Sequence, residues 1–322
     1  MRQARALLLL ALAALLPGAL SARAADAVLD RVRATGVVRC GGEEQPGIAW
    51  PMADGRIVGL AVDLCRAVGI AVLGPSGRVA FRIYGSDDDF AAVGRGEDDL
   101  SFLSSEAIGD QQLAASVLPG PTVFIERIAL MVPESAPVRD VRDLDGRSVC
   151  LMVGSEAQRV LETVARRNHL TFLRLSFSEE AEMLDAYNAQ RCEAMVGQAT
   201  QLAAMRQTGG VNRLKSRLLR EPLALSPLLA ITGVSDARWS ALVAWIVDAL
   251  ILADAPGIGG SEGGVAALAP LPGLRPNWRS EVLAETGGYG AIVTRNLVQL
   301  LGLDPGPNAP WPAGLLLPAA VE

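Results

Sequence analysis

Ser148-Val149-Cys150-Leu151-Met152-Val153-Gly154-Ser155-Glu156-Ala157-Gln158-Arg159-Val160-Leu161 is the stretch that decides the fold. Residues 148–153 read as a short apolar strand that stops at Gly154-Ser155. A helix over 156–167 begins at that Gly-Ser. The same plan occurs earlier in the chain, where Leu100 to Leu103 is an apolar strand running into Ser104-Ser105. In an open α/β sheet a ligand sits beyond the carboxyl ends of the strands. Backbone N–H groups at a helix start favour an anion there. Two such ends facing one another make a cleft between lobes. Each serine taken alone reads better as a plain helix cap.

The flanking sequence extends the pattern. Val28 to Thr35 reads as a helix, Gly36 to Cys40 as a strand, and Val58 to Leu73 as a helix with apolar residues at 60, 64, 68 and 72. A strand over 79–84 and a short helix over 90–95 precede the strand at Leu100. The resulting β-α-β-α-β order points to an α/β sheet. A second unit begins after Met131-Val132-Pro133, with a helix and turn over 140–146 ahead of the strand at Ser148. A strand over 172–175, a helix over 179–188 and a strand over 194–196 follow. Residues 213–219 and 223–232 read as extended or mixed, 237–253 as a long apolar helix, and 256–276 as a Gly/Pro-rich loop. Residues 278–301 return to helix, broken at Gly287-Gly288-Tyr289-Gly290. No repeat at a solenoid period is present.

The chain has 322 residues, half of them hydrophobic and only 20% charged, which excludes a disordered tail. That length fits about two domains. With 35 Asp and Glu against 29 Lys and Arg, and no long basic run, nucleic acid is not expected as a partner. The single histidine, His169, leaves little room for His-based catalysis or a multi-His metal site.

Residues 1–24 read as a secretory signal peptide. Arg2 and Arg5 supply the positive start, and 6–16 is an apolar run too short to span a bilayer, which takes about 20 residues. Ala22-Arg23-Ala24 places cleavage after Ala24, and there is no lipobox cysteine at the junction. The mature protein is expected in the periplasm, not embedded in a membrane. In an oxidising compartment the four cysteines, Cys40, Cys65, Cys150 and Cys192, form an even set with three possible pairings. Pairing Cys40 with Cys65 and Cys150 with Cys192 keeps both bridges local. Free thiols are the alternative; zinc is disfavoured because no Cys-x-x-Cys occurs.

Gly47-Ile48-Ala49-Trp50-Pro51, followed by Gly59-Leu60-Ala61-Val62-Asp63-Leu64-Cys65-Arg66-Ala67, resembles a segment of the periplasmic general amino-acid-binding proteins, the receptors of ABC importers. The resemblance continues through Leu144-Asp145-Gly146, Val149 to Ser155, Arg191-Cys192-Glu193 and Arg220-Glu221-Pro222-Leu223. It ends in Gly288-Tyr289-Gly290, Arg295-Asn296-Leu297 and Gly306-Pro307-Asn308-Ala309-Pro310-Trp311. All four cysteines fall where this subfamily carries its own. The resemblance implies a two-lobed type II periplasmic binding protein fold with a hinge and an interlobe cleft. It places one lobe at 25–128 plus 226–322 and the other at 129–225, with crossovers near 125–131 and 222–229. Each disulfide would stay inside one lobe and leave the hinge free.

The family clamps the two charges of an amino acid, and this sequence departs from that clamp. Counting from Ser104-Ser105, the position of the family arginine that holds the α-carboxylate is Asp110. Counting from Cys192, the position of the aspartate that holds the α-ammonium is Gln198. Glu106 and Glu156 add acid near the cleft, and Trp50 lies in a loop that should border it. An arginine reaching in from another loop is the way a clamp could be rebuilt. The candidate ligand set is therefore Trp50, Ser104, Ser105, Glu106, Asp110, Gly154, Ser155 and Gln198, with no metal and no cofactor. The expected function is a monomeric solute-binding protein that takes a small polar ligand, with an ABC permease or another periplasmic protein as partner. A non-transport docking protein serving a sensor or a periplasmic oxidoreductase is the alternative. An enzyme is not expected, since neither a nucleophile elbow nor H-E-x-x-H occurs.

Overall fold

The computed structural model describes residues 27–85, 90–109, 115–208, 214–254 and 272–316. The signal peptide, Asp110 and most of the Gly/Pro-rich stretch lie outside the described residues. The chain opens with α1 (Ala27–Thr35), β1 (Val37–Glu43), the short strands β2 (Trp50–Pro51) and β3 (Ile57–Val58), α2 (Leu60–Leu73) and β4 (Arg78–Tyr84). β5 (Leu100–Ser104) and α3 (Ser105–Ile108) lead to the 17-residue strand β6 (Val117–Pro133). Then follow β7 (Ser148–Met152), α4 (Glu156–Asn168), β8 (Leu173–Phe177), α5 (Glu180–Asn188), β9 (Ala194–Gln198), α6 (Ala199–Thr208) and β10 (Ser216–Leu218). β11 (Ala224–Gly233), α7 (Ala237–Ala253), α8 (Trp278–Thr286) and α9 (Tyr289–Val293) complete the order.

One sheet runs β4-β1-β5-β11-β6-β9-β7-β8, with β10 added on β6. Its two ends are built alike. β1 is parallel to β4 and β5, and β7 is parallel to β8 and β9. Between them β11 and β6 run antiparallel, from Ala224 opposite Ile128 to Gly233 opposite Val117. Among the described residues these two strands cross the middle of the sheet, and they form the hinge of the two-lobed fold. The crossover expected at 125–131 lies inside β6, and residues 224–229 of the second lie inside β11.

The central parallel strands are apolar because helices cover both faces. Leu100, Phe102 and Leu103 are buried, as are Val149, Cys150 and Leu151. α2 buries Leu60, Leu64 and Val68 against β1, and α7 buries Trp239, Leu242 and Ile246 beside it. Leu161 of α4 packs on Val149, Leu151 and Val196 at the far end. Cys40 bonds Cys65, tying β1 to α2 with a Cα–Cα distance of 6.3 Å. Cys150 bonds Cys192, tying β7 to the turn after α5 at 5.7 Å.

Several residues that carried the family resemblance are structural ties. Gly59 has φ 140°, and a Cβ there would sit 2.1 Å from the Ile48 carbonyl oxygen. Only glycine allows Leu60 N–H to reach Gly47 O at 2.9 Å and Ala61 N–H to reach Ile48 O at 3.0 Å. Asp63 accepts from Arg295 at 2.8 Å and from Asn296 at 2.6 Å, pinning α2 to the C-terminal segment. The Asn308 side chain accepts from Ile125 N at 2.7 Å and donates to Ile125 O at 2.8 Å, bracing the hinge strand.

The structure differs from the sequence reading in four places. Helix α2 starts at Leu60 because Ile57-Val58 pairs with Trp50-Pro51. Residues 91–96 form turns instead of a short helix, tied by Arg95 N–H to Ala91 O and Gly96 N–H to Val93 O. Helix α6 was not legible, since its hydrophobicity shows little helical periodicity. Beyond Gly287, with φ 74°, the last helix resumes at Tyr289 and widens into a π turn over Thr294–Gln299.

Candidate functional site

A cleft of about 450 Å³ opens at the carboxyl ends of β1, β5 and β9, between the α3 end of one lobe and the α4 end of the other. Its lining includes Glu43 and Gln45 after β1, Ser104, Glu106, Glu126 of β6, Gly154, Glu156 and Arg159 of α4, Gln198 and Ser226 of β11. Of the expected residues, Ser104, Glu106, Gly154 and Gln198 line this cleft, and Glu156 joins them. Trp50 borders a neighbouring pocket of about 450 Å³ instead, with Glu44, Glu180 and Gln201. Ser105 and Ser155 are not among the lining residues, and Asp110 lies outside the described residues.

The hydroxyls of both strand ends are committed to helix caps. Ser104 Oγ accepts from Ala107 N at 3.2 Å. Ser155 Oγ accepts from Gln158 N at 3.2 Å and donates to Met152 O at 2.8 Å. The Gly154 N–H donates to Gln158 Oε1 at 2.8 Å, so this donor is already used at the helix start.

Sequence reasoning missed Arg159 and Glu126. Arg159 Nη1 donates to Gly154 O at 2.9 Å, and its Nη2 makes a direct ion pair with Glu106 Oε1 across the cleft. Both side chains are about half exposed, at 53% and 49%, so the pair contributes at most about 1 kcal/mol. Glu156 follows Ser155 and reaches the hydroxyl of Ser226 on the hinge strand. Burial pushes its carboxyl above the usual range, the Glu106 charge adds to this, and the Ser226 hydrogen bond opposes it. The signal for Arg159 was present: three residues past Glu156, it lies on the same face of α4.

Glu126 is 4% exposed, at the floor of the cleft on hinge strand β6. Gln45 Nε2 donates to its Oε2 at 2.6 Å from one lobe, and the Thr200 hydroxyl donates to the same oxygen at 2.5 Å from α6 of the other. The Arg127 N–H donates to Oε1 at 2.7 Å. Burial still outweighs these donors and raises the carboxyl above its ordinary value. Its signal was a charge inside Phe124-Ile125-Glu126-Arg127-Ile128, an otherwise apolar strand at the expected crossover. Among the described residues no helix is long and apolar enough to cross a membrane.

An α/β protein with two parallel sheet ends, two crossing strands and a polar cleft between them is a type II periplasmic binding protein by fold. Solved structures agree: a periplasmic binding protein from Brucella ovis with glutathione bound superposes with a TM-score of 0.71 at 24% identity, covering 89% of this chain and 96% of that one. No family model matches the chain. Three curated relatives do, each over most of its length. The general L-amino acid-binding periplasmic protein AapJ of Rhizobium johnstonii is 28% identical over 92% of this chain and 93% of its own. The glutamate/glutamine/aspartate/asparagine-binding protein BztA of Rhodobacter capsulatus is 28% identical over 95% of both. The amino-acid ABC transporter-binding protein YhdW of Escherichia coli is 25% identical over 85% of both. The chain is thus a relative of the amino-acid-binding proteins of ABC transporters, which bind and do not catalyse.

Proposed function

We propose that this chain is an extracytoplasmic solute receptor of an ABC importer. In this reading residues 1–24 are removed on export, and a lobe of 25–128 plus 226–322 closes on a lobe of 129–225. The ligand is small and polar, and it passes to a permease. The observation that carries the ligand class is the acidic lining of the cleft: Glu43, Glu106, Glu126 and Glu156 stand against Arg159 as the one basic residue among the described lining, with Glu106 paired to Arg159 and burial raising the pKa of Glu126 and Glu156. Low-dielectric walls concentrate such a field. The cleft then prefers a cationic or neutral polar ligand.

The ordinary amino-acid clamp is lost in this reading, with Asp110 where a carboxylate needs an arginine and Gln198 where an ammonium needs an aspartate. Arg159 is paired with Glu106 instead, so a ligand carboxylate would have to compete with that carboxylate for the guanidinium. Relatives named for amino acids, and the neighbour holding glutathione, set the comparison. Thermal shift with the common amino acids and with glutathione is expected to give no large stabilisation, whereas a bound ligand at 100 times its Kd adds about 2.7 kcal/mol. Glutamate and aspartate should be poorest. Asp110→Arg should give weak amino-acid binding by calorimetry, and Asp110→Arg with Gln198→Asp stronger binding. A clear shift with micromolar glutamate on the unaltered protein would mean that Arg159 serves as the carboxylate anchor, and would sink the lost-clamp reading.

A further inference from the structure

The cleft is not the largest concavity. A groove of about 840 Å³ lies along the hinge, with Arg127 and Ala129 of β6 and Leu225 of β11 in its lining. One wall is formed by α6 and the 217–222 segment around β10, the other by the 302–315 segment. Four guanidiniums line it, those of Arg127, Arg206, Arg217 and Arg220, against a single carboxylate, Asp304. This charge is opposite in sign to the acidic cleft and to the net charge of -6 on the whole chain.

The Arg127 and Arg217 guanidiniums are held in place by backbone carbonyls, and the charges of Glu126 and Asp304 also act on Arg127. Arg127 Nη2 donates to Asp304 O at 2.6 Å. Arg217 Nη2 donates to Val138 O at 2.5 Å and Ala136 O at 3.2 Å. Arg220 is exposed and makes no hydrogen bond or ion pair among the described residues. A guanidinium carries five N–H donors in a fixed fork, and anchoring one nitrogen leaves the others aimed and available. Arg side chains so held lose little freedom when an oxyanion arrives, which favours bidentate recognition of phosphate or carboxylate.

We propose that this groove is a second binding site, for a small multivalent oxyanion of the phosphate or polycarboxylate class, with Arg127, Arg217 and Arg220 as its ligands. It is separate from the solute cleft and opposite to it in charge preference. Because its two walls belong to different lobes, its occupancy and the hinge angle are linked, and the coupling between the two sites is reciprocal.

The test uses the mature protein and pyrophosphate as the probe, titrated calorimetrically at constant ionic strength. Saturable binding of one pyrophosphate per chain is expected. Arg220→Glu, an exposed change that touches no described partner, should weaken it tenfold or more, and Arg217→Ala should do likewise in a sample whose melting stays cooperative. Arg191→Ala, an exposed arginine outside the groove, should leave affinity unchanged. Citrate in place of pyrophosphate asks whether the site reads charge density or phosphate geometry. The absence of saturable heat with either anion, or an equal loss on Arg191→Ala, would overturn the proposal.

Discussion

Glu126 concentrates the chemistry of the hinge in one side chain. Its carboxylate takes three donors, from Gln45, Thr200 and the Arg127 N–H, and those donors come from both lobes and the strand that joins them. Its pKa is nevertheless raised by burial. A carboxyl with a raised folded pKa takes up a proton on folding, so the stability it contributes is present below about pH 4.5 and is lost as pH rises through the raised value. Glu126→Gln removes that titration. The difference in unfolding free energy, variant minus wild type, should increase with pH across this window in denaturant melts. A difference independent of pH would mean that Glu126 titrates normally. At this scale the sequence was partly legible. Ser104 and Ser155 were rightly marked as helix starts, and their hydroxyls serve there as caps. Glu126 and Arg159 were not singled out, because their roles arise from partners 74 and 53 residues away in sequence.

Among the elements, what was legible followed from periodicity and punctuation. The strand-Gly-Ser-helix unit at Ser148 to Asn168 and the long helix α7 stand as read, because their apolar faces are contiguous. α6 escaped, since its buried Leu202, Ala203, Ala204 and Met205 are consecutive and form no stripe at helical spacing. Two predictions belong here. Gly59→Ala places a methyl 2.1 Å from a carbonyl oxygen in a backbone with φ 140°, and should destabilise the protein by about 2–4 kcal/mol in chemical denaturation. An effect below 1 kcal/mol would mean that the 47–60 loop yields without cost. Each disulfide closes a loop, of sequence separation 25 and 42, and should contribute roughly 3 kcal/mol by restricting the unfolded chain. Non-reducing peptide mapping should return Cys40 with Cys65 and Cys150 with Cys192. A Cys65–Cys150 peptide would contradict the placement of each bridge within one end of the sheet.

The whole molecule sets two fields back to back across a two-strand hinge. The front cleft gathers carboxylates from both lobes, and the groove along β6 and β11 gathers guanidiniums. The α/β class was legible because strand and helix order is local information, whereas the two-lobed type II fold came from the family resemblance. The sign of the cleft was legible only in part: Glu106 and Glu156 were anticipated, whereas Glu43 and Glu126 reach it through sheet topology. In the proposed function the cleft closes on a ligand whose charge complements these acids. The most direct measurement is a calorimetric titration of the mature protein with two four-carbon probes of equal length, an aliphatic diamine and the matching dicarboxylate, repeated on Glu106→Gln. Saturable binding of the diamine, weakened by Glu106→Gln, is expected, and no binding of the dicarboxylate. Binding of the dicarboxylate with silence toward the diamine would contradict it.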